Sequence, residues 1–159
     1  MALYRKILVP VDFSPCSREA YRVGTEMAKQ FGAELWILHV IDSRVIEPLA
    51  EASGKRAEEL TKELNKKARS QFRSFLSGLP TGPGAHRMIV VGAPFHEIVK
   101  TTRKEEVDLI VMGRYGGTGE LEKILFGSTA ERVVRVAPCA VLSVPLLAGG
   151  AKTVEARSQ

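Results

Sequence analysis

The chain has 159 residues, 45% of them hydrophobic, and a formal net charge of +5 at pH 7. That length suits one domain, large enough to bury roughly two-thirds of its unfolded surface, and no apolar run is long enough to span a membrane. Two cysteines, Cys16 and Cys139, are too few for a disulfide framework, and the surplus positive charge is interleaved with acids, as in Lys55–Arg69, without a basic stripe carrying aromatics, so nucleic acid is not the expected partner.

In chain order, Met1 to Ile7 leads straight into a strand and lacks a signal-peptide layout, which with the free thiols suggests the cytoplasm. Lys6–Val11 is the first buried strand. Ser14 is a good N-cap and Pro15 suits a first helical position, so a helix follows, with Ala20, Val23, Met27, Ala28 and Phe31 at helical spacing and Gly32 as its stop. Ala33–Val40 reads as the second strand and Ile41–Gly54 as loop. A long amphipathic helix is expected from Lys55 to Leu79, with Leu60, Leu64, Ala68, Phe72, Phe75, Leu76 and Leu79 on one face. Pro80–Gly84 ends it. Met88–Val91 is the third strand, and Gly92-Ala-Pro94 opens a helix with Phe95, Ile98 and Val99. Leu109–Met112 is wholly apolar with no alternation, the pattern of a strand buried on both faces. A last helix carries Ala130, Val133, Val134 and Ala137, and Ala140–Val144 is the fifth strand. Residues 1–147 form the expected domain, and the small, polar stretch 148–159 reads as a flexible tail.

Strands alternating with helices predict an α/β fold, a single doubly wound, five-stranded parallel sheet with helices on both faces. Ligands of such sheets sit beyond the carboxyl ends of the strands, where strand order reverses. The fourth strand runs into Gly113, with further glycines at 116, 117 and 119, and Gly127 then precedes Ser128-Thr129 and the last helix. Glycines let backbone N–H groups close on a phosphate, and a helix start adds unpaired N–H groups with partial positive charge. The alternative is a crossover loop with Ser128 acting only as a helix cap. This is neither a Walker A loop nor a dinucleotide fingerprint. If the first and fourth strands are neighbours, Asp12 faces the glycine loop, where a carboxylate suits ribose hydroxyls. Otherwise Asp12 is a turn residue beside Ser14.

These residues resemble the universal stress protein family. The likeness lies in Ile7–Ser17, Leu38–Asp42, Val91–Pro94, Val107–Gly113, Gly127–Val133 and Pro138–Pro145, in the family's order over nearly the whole chain. The resemblance implies five parallel strands, usually with dimer formation through the last strand, here Val141–Val144. It also implies membership of either an ATP-binding branch or one without nucleotide. The binding branch carries glycine, two residues, glycine, nine residues, then glycine and serine or threonine. By that implication Pro10, Val11 and Val40 line an adenine pocket and Asp12 holds the ribose. Met112, Gly113, Gly116, Gly127, Ser128 and Thr129 take the phosphates and their surroundings. One departure stands out: the ten residues 117–126 separate Gly116 from Gly127, whereas Gly117 restores the nine at the cost of the first spacing. Arg114 is placed to pair with a phosphate, and Tyr115 to shut part of the pocket.

Catalytic groups are sparse. His39, on a buried strand, reads as a core or dimer-side histidine, His86 and His96 lack partners at metal-ligand spacing, no nucleophile elbow occurs, and Cys16 reads as a packed helix residue. Glu120 and Glu122 flank the glycine loop, either to help hold a magnesium ion on the phosphates or as the exposed face of a short turn. The expectation is a cytoplasmic, ATP-binding stress-response protein, with or without magnesium, that is not an enzyme beyond slow ATP hydrolysis. The rival readings are a nucleotide-free dimeric module and a true nucleotide-processing enzyme.

Overall fold

In the computed structural model, which describes residues 2–80, 84–116 and 126–146, the apolar runs become five strands. They are β1 (Lys6–Pro10), β2 (Glu34–Asp42), β3 (His86–Gly92), β4 (Leu109–Gly113) and β5 (Ala140–Val144). Between them lie α1 (Pro15–Phe31), α2 (Ile46–Ser53), α3 (Ala57–Leu76), α4 (Pro94–Lys104) and α5 (Ser128–Val136), with a 3-10 turn at Ser43–Val45. Every pairing is parallel, and the order across the sheet is β3-β2-β1-β4-β5. β1 and β4 are therefore neighbours, and strand order reverses between them.

Alternate side chains of the strands feed two cores. Ile7, Val9, Leu35, Ile37, Leu109 and Val111 pack with Tyr21 of α1 and Phe72 and Phe75 of α3. Leu8, Leu38, Ile110 and Met112 pack on the opposite face with Ile98 of α4 and Ala130 and Val133 of α5. Burying each such side chain stabilises the fold by roughly 1.5–3 kcal/mol. Gly24 lets α1 approach the sheet closely, since a Cβ there would stand 2.5 Å from Val9 Cγ2. At the opposite end from the glycine loop, Asp108 Oδ2 accepts from the Arg5 and Lys6 amides at 2.8 and 2.9 Å and ties β4 to β1.

The expected punctuation of α1 is present. Ser14 Oγ accepts from the Ser17 amide at 3.2 Å, and Gly32 closes the helix in the left-handed region at φ 64°. The segment Ile41–Gly54 departs from its expected loop. β2 continues to Asp42, and Asp42 Oδ1 accepts from the Arg44 amide at 3.0 Å, which starts the 3-10 turn and leads into α2. Ile46 and Ala50, one turn apart, pack on Leu60 of α3. That short stripe has meaning only once α3 lies beside it, and Pro48 in the first turn disguises it, although proline is tolerated there. α3 is also shorter than expected, at Ala57–Leu76. Val134, part of the apolar pattern of the last helix, is 48% exposed. Residues 81–83 and the expected tail 148–159 lie outside the described residues.

Candidate functional site

A cavity of about 630 Å³ opens at the carboxyl ends of β1, β2 and β4, where strand order reverses. Its volume falls within the range of roughly 300–1,000 Å³ usual for small-molecule and cofactor sites. Pro10, Val11, Asp12, Val40, Met112, Gly113, Gly116, Gly127, Ser128 and Thr129 all line it. Pro10, Val11, Leu38, Val40, Ile98 and Met112 form an apolar wall, while the carboxylate of Asp12 and the first turn of α5 supply polar groups.

The turn after β1 sets the carboxylate. Asp12 Oδ1 accepts from the Ser14 amide at 3.0 Å, so the turn role weighed from the sequence is present, yet Asp12 remains exposed to the cavity. Gly116 lies directly against it, and a Cβ on that glycine would collide with Asp12 Oδ2. Phe13, the next residue, takes φ 67°. For a bulky side chain this left-handed geometry costs of order 1–3 kcal/mol and persists only where surrounding contacts hold it.

The glycine loop is built around short main-chain ties. The Arg114 amide donates to Val144 O at 2.9 Å, and the Gly127 amide donates to Arg114 O at 2.8 Å. The chain leaves this point after Gly116 and returns at Gly127, whose Cβ position would be 3.1 Å from Tyr115 Cα and 3.5 Å from Gly116 N. The departure in spacing therefore falls between two glycines that meet. Gly117, Glu120 and Glu122 lie outside the described residues. Tyr115 is a fixed wall: its hydroxyl donates to Leu146 O at 2.9 Å and accepts from Leu146 N at 3.2 Å. The Arg114 guanidinium carbon lies over the Phe126 ring, 5.4 Å from its centroid, and Arg114 is not among the cavity-lining residues.

α5 begins differently from the serine-cap alternative. Gly127 is the N-cap, Ser128 is already helical, and no side chain among the described residues caps the turn by a hydrogen bond. Its first amides, at Ser128, Thr129 and Ala130, precede the first intrahelical donor, Glu131, whose N–H bonds Gly127 O at 2.9 Å. Those three residues line the cavity.

Sequence reading missed Asp42 and Arg44, which both line the cavity. Arg44 Nη2 meets Asp42 Oδ2 at 2.6 Å and Nε meets Oδ1 at 2.8 Å. The arginine's hydrogen bonds, ahead of an opposing effect of burial, hold the Asp42 carboxyl below its ordinary value. The signal was a carboxylate closing an apolar run with a basic residue two positions on. Leu38, Ile98 and Ala130 escaped as site residues because they read as core.

The catalytic candidates stay apart. His39 Nδ1 lies 2.8 Å from Val11 O and its ring stacks on Phe13 at 4.2 Å. Burial holds this imidazole below its ordinary pKa, against smaller upward effects from the Val11 carbonyl and Asp12. Cys16 is buried, its Sγ 3.3 Å from Val144 O. His86 stacks on Trp36, and His96 is exposed. Among the described residues no group of three potential ligands is arranged to hold a metal, and no helix is long and apolar enough to cross a membrane.

A family model described as the universal stress protein family matches residues 3–145. Universal stress protein MJ0531 of Methanocaldococcus jannaschii is 41% identical over 143 residues, spanning 89% of this chain and 82% of that protein. The solved structure of MJ0577 from the same organism aligns with a TM-score of 0.76 at 34% identity, covering 91% of this chain and 98% of the other. UspA from Lactobacillus plantarum aligns with a TM-score of 0.66 at 27% identity, covering 89% and 97%. A universal stress protein in complex with cAMP shares the fold, with a TM-score of 0.57 at 23% identity, covering 89% and 96%.

Proposed function

The chain belongs to the universal stress protein family, and from that premise we propose that it is a cytoplasmic stress-response protein that binds ATP in the cavity and acts as a nucleotide-dependent switch or interaction module. The observation that carries this reading is the convergence, in one cavity, of an apolar wall, an exposed carboxylate and an uncapped helix start. Pro10, Val11, Val40 and Met112 receive the adenine, Asp12 accepts from the ribose hydroxyls, and the amides of Ser128, Thr129 and Ala130 meet the phosphates with the help of Gly113, Gly116 and Gly127. A helix start contributes roughly 0.3–1 kcal/mol and up to about 2 when partly buried. Micromolar affinity needs about −8 kcal/mol, so burial of the base supplies much of the rest. Magnesium, where present, neutralises phosphate charge. On this reading ATP hydrolysis is at most slow and the protein is not an enzyme.

The experiment is to denature the purified protein, identify released nucleotide by mass spectrometry, and titrate ATP by calorimetry with cAMP as competitor. ATP that is released or bound, and weakened by Asp12→Ala and Gly127→Val, is the expected result. Empty protein with no binding heat at millimolar ATP overturns it. The second reading, a nucleotide-free dimeric module, draws on the apolar face near β5, where Leu142, Val134 and Val136 are 38%, 48% and 46% exposed. Pairing through Val141–Val144 covers that edge strand, and light scattering showing only monomer at high concentration overturns the pairing.

A further inference from the structure

We infer that Phe13 is a positioning residue for the ligand: its ring, clamped between His39 and α3, holds the bent turn that presents the Asp12 carboxylate to the cavity. The inference rests on Asp12 reading the ribose as proposed above and adds how that carboxylate is kept in place. Phe13 takes φ 67° between Asp12 and Ser14, a conformation that glycine adopts freely and phenylalanine does not. Something must hold it, and the ring contacts do. Phe13 stacks on His39 at 4.2 Å and meets Phe72 and Phe75 edge-on at 5.8 and 5.6 Å.

His39 grips the other neighbour of Asp12 as well, through the 2.8 Å contact of Nδ1 with Val11 O. A single imidazole thus secures the residues on both sides of the carboxylate. From the opposite direction Gly116 leaves room for Oδ2 that any Cβ would remove. His39, Phe72 and Phe75 do not line the cavity. They act on the ligand only through the turn, which makes α3 part of the binding machinery at one remove.

The test compares ATP with 2′,3′-dideoxy-ATP, which lacks both ribose hydroxyls, by calorimetry on the full chain. A charged hydrogen bond to the ribose predicts that the wild type prefers ATP by about tenfold or more. Phe13→Gly keeps the backbone geometry accessible but removes the ring. It is expected to cut the preference to about twofold or less while leaving affinity for dideoxy-ATP nearly unchanged. Phe72→Leu, a milder change in α3, is expected to move the ratio the same way by less. An unchanged ratio in Phe13→Gly, or an equal loss for both nucleotides, overturns the inference, since either marks a merely structural role. Amide exchange at Ser14, whose N–H bonds Asp12, reads the clamp without ligand: faster exchange in Phe13→Gly supports it and unchanged protection overturns it. A wild type that binds neither nucleotide overturns the ATP reading, and the Ser14 exchange still decides the clamp.

Discussion

α1 and α5 begin on either side of the line between β1 and β4, yet the two beginnings are opposites. α1 is closed by its own sequence: Ser14 Oγ takes the Ser17 amide, Pro15 contributes no N–H, and the Ser17 hydroxyl donates back to Ser14 O at 3.0 Å. α5 starts at a glycine, and among the described residues no side chain makes a capping hydrogen bond to its first turn. The comparison teaches that helix termini at a switch point are not interchangeable. The terminus that satisfies itself anchors the fold, and the one left unsatisfied is available to an anion.

Four measurements sharpen or break that contrast. The largest effect is expected from Gly24→Val, which forces a side chain onto Val9 Cγ2 and drives α1 off the sheet. Overpacking there should cost about 1–3 kcal/mol or more in urea denaturation, and a neutral outcome would show that α1 is not the fixed side. Next, Ser128→Asp places an acid in the first turn of α5. It should stabilise the free protein by roughly 0.3–1 kcal/mol while weakening ATP about tenfold, or about 1.4 kcal/mol, in calorimetry. Tighter ATP binding would break the assignment of the open terminus. Ser14→Ala removes the cap of α1 and should cost about 1 kcal/mol of stability, with ATP affinity within about threefold of wild type.

The smallest effect concerns pH. His39 has a lowered pKa, so its contribution to stability is complete above the unfolded value of about 6.5 and is lost as pH falls below it toward the folded value. Asp108 is also lowered, chiefly by the Arg5 amide, so its contribution fades only as pH falls below about 3.8. Denaturation midpoints across pH should therefore show two separate declines, the upper one absent in His39→Asn. A flat profile between pH 7 and 5 in the wild type would sink the first assignment.

The fold was legible because its central strands carry unbroken apolar runs and its helices carry clear stops, Gly32 foremost. The floor and rim of the cavity were equally legible, since Asp12, Gly113 and Gly127 end or begin elements at the place where such sheets bind ligands. The misses share a physical cause. α2 is an eight-residue helix held by its packing on α3, and Asp42 reaches Arg44 through a turn that local pattern reads as loop. The sequence places Tyr115 at the pocket, but its hydroxyl answers to Leu146, 31 residues away, a pairing that no spacing rule contains. The strain at Phe13 was equally invisible, because an aromatic residue in a turn ordinarily avoids φ 67°.

The 2.8 Å bond from the Gly127 amide to Arg114 O has a practical consequence. It works like a knot at the neck of a bag: whatever length of chain lies beyond it, the neck stays the same width. Because closing a longer connection costs only about 0.6 kcal/mol for each doubling of length, extra chain added between Gly116 and Gly127 is expected to leave the meeting point of these two glycines in place. A reporter carried by such an addition would be tethered through Gly116 and Gly127, two residues of the cavity wall.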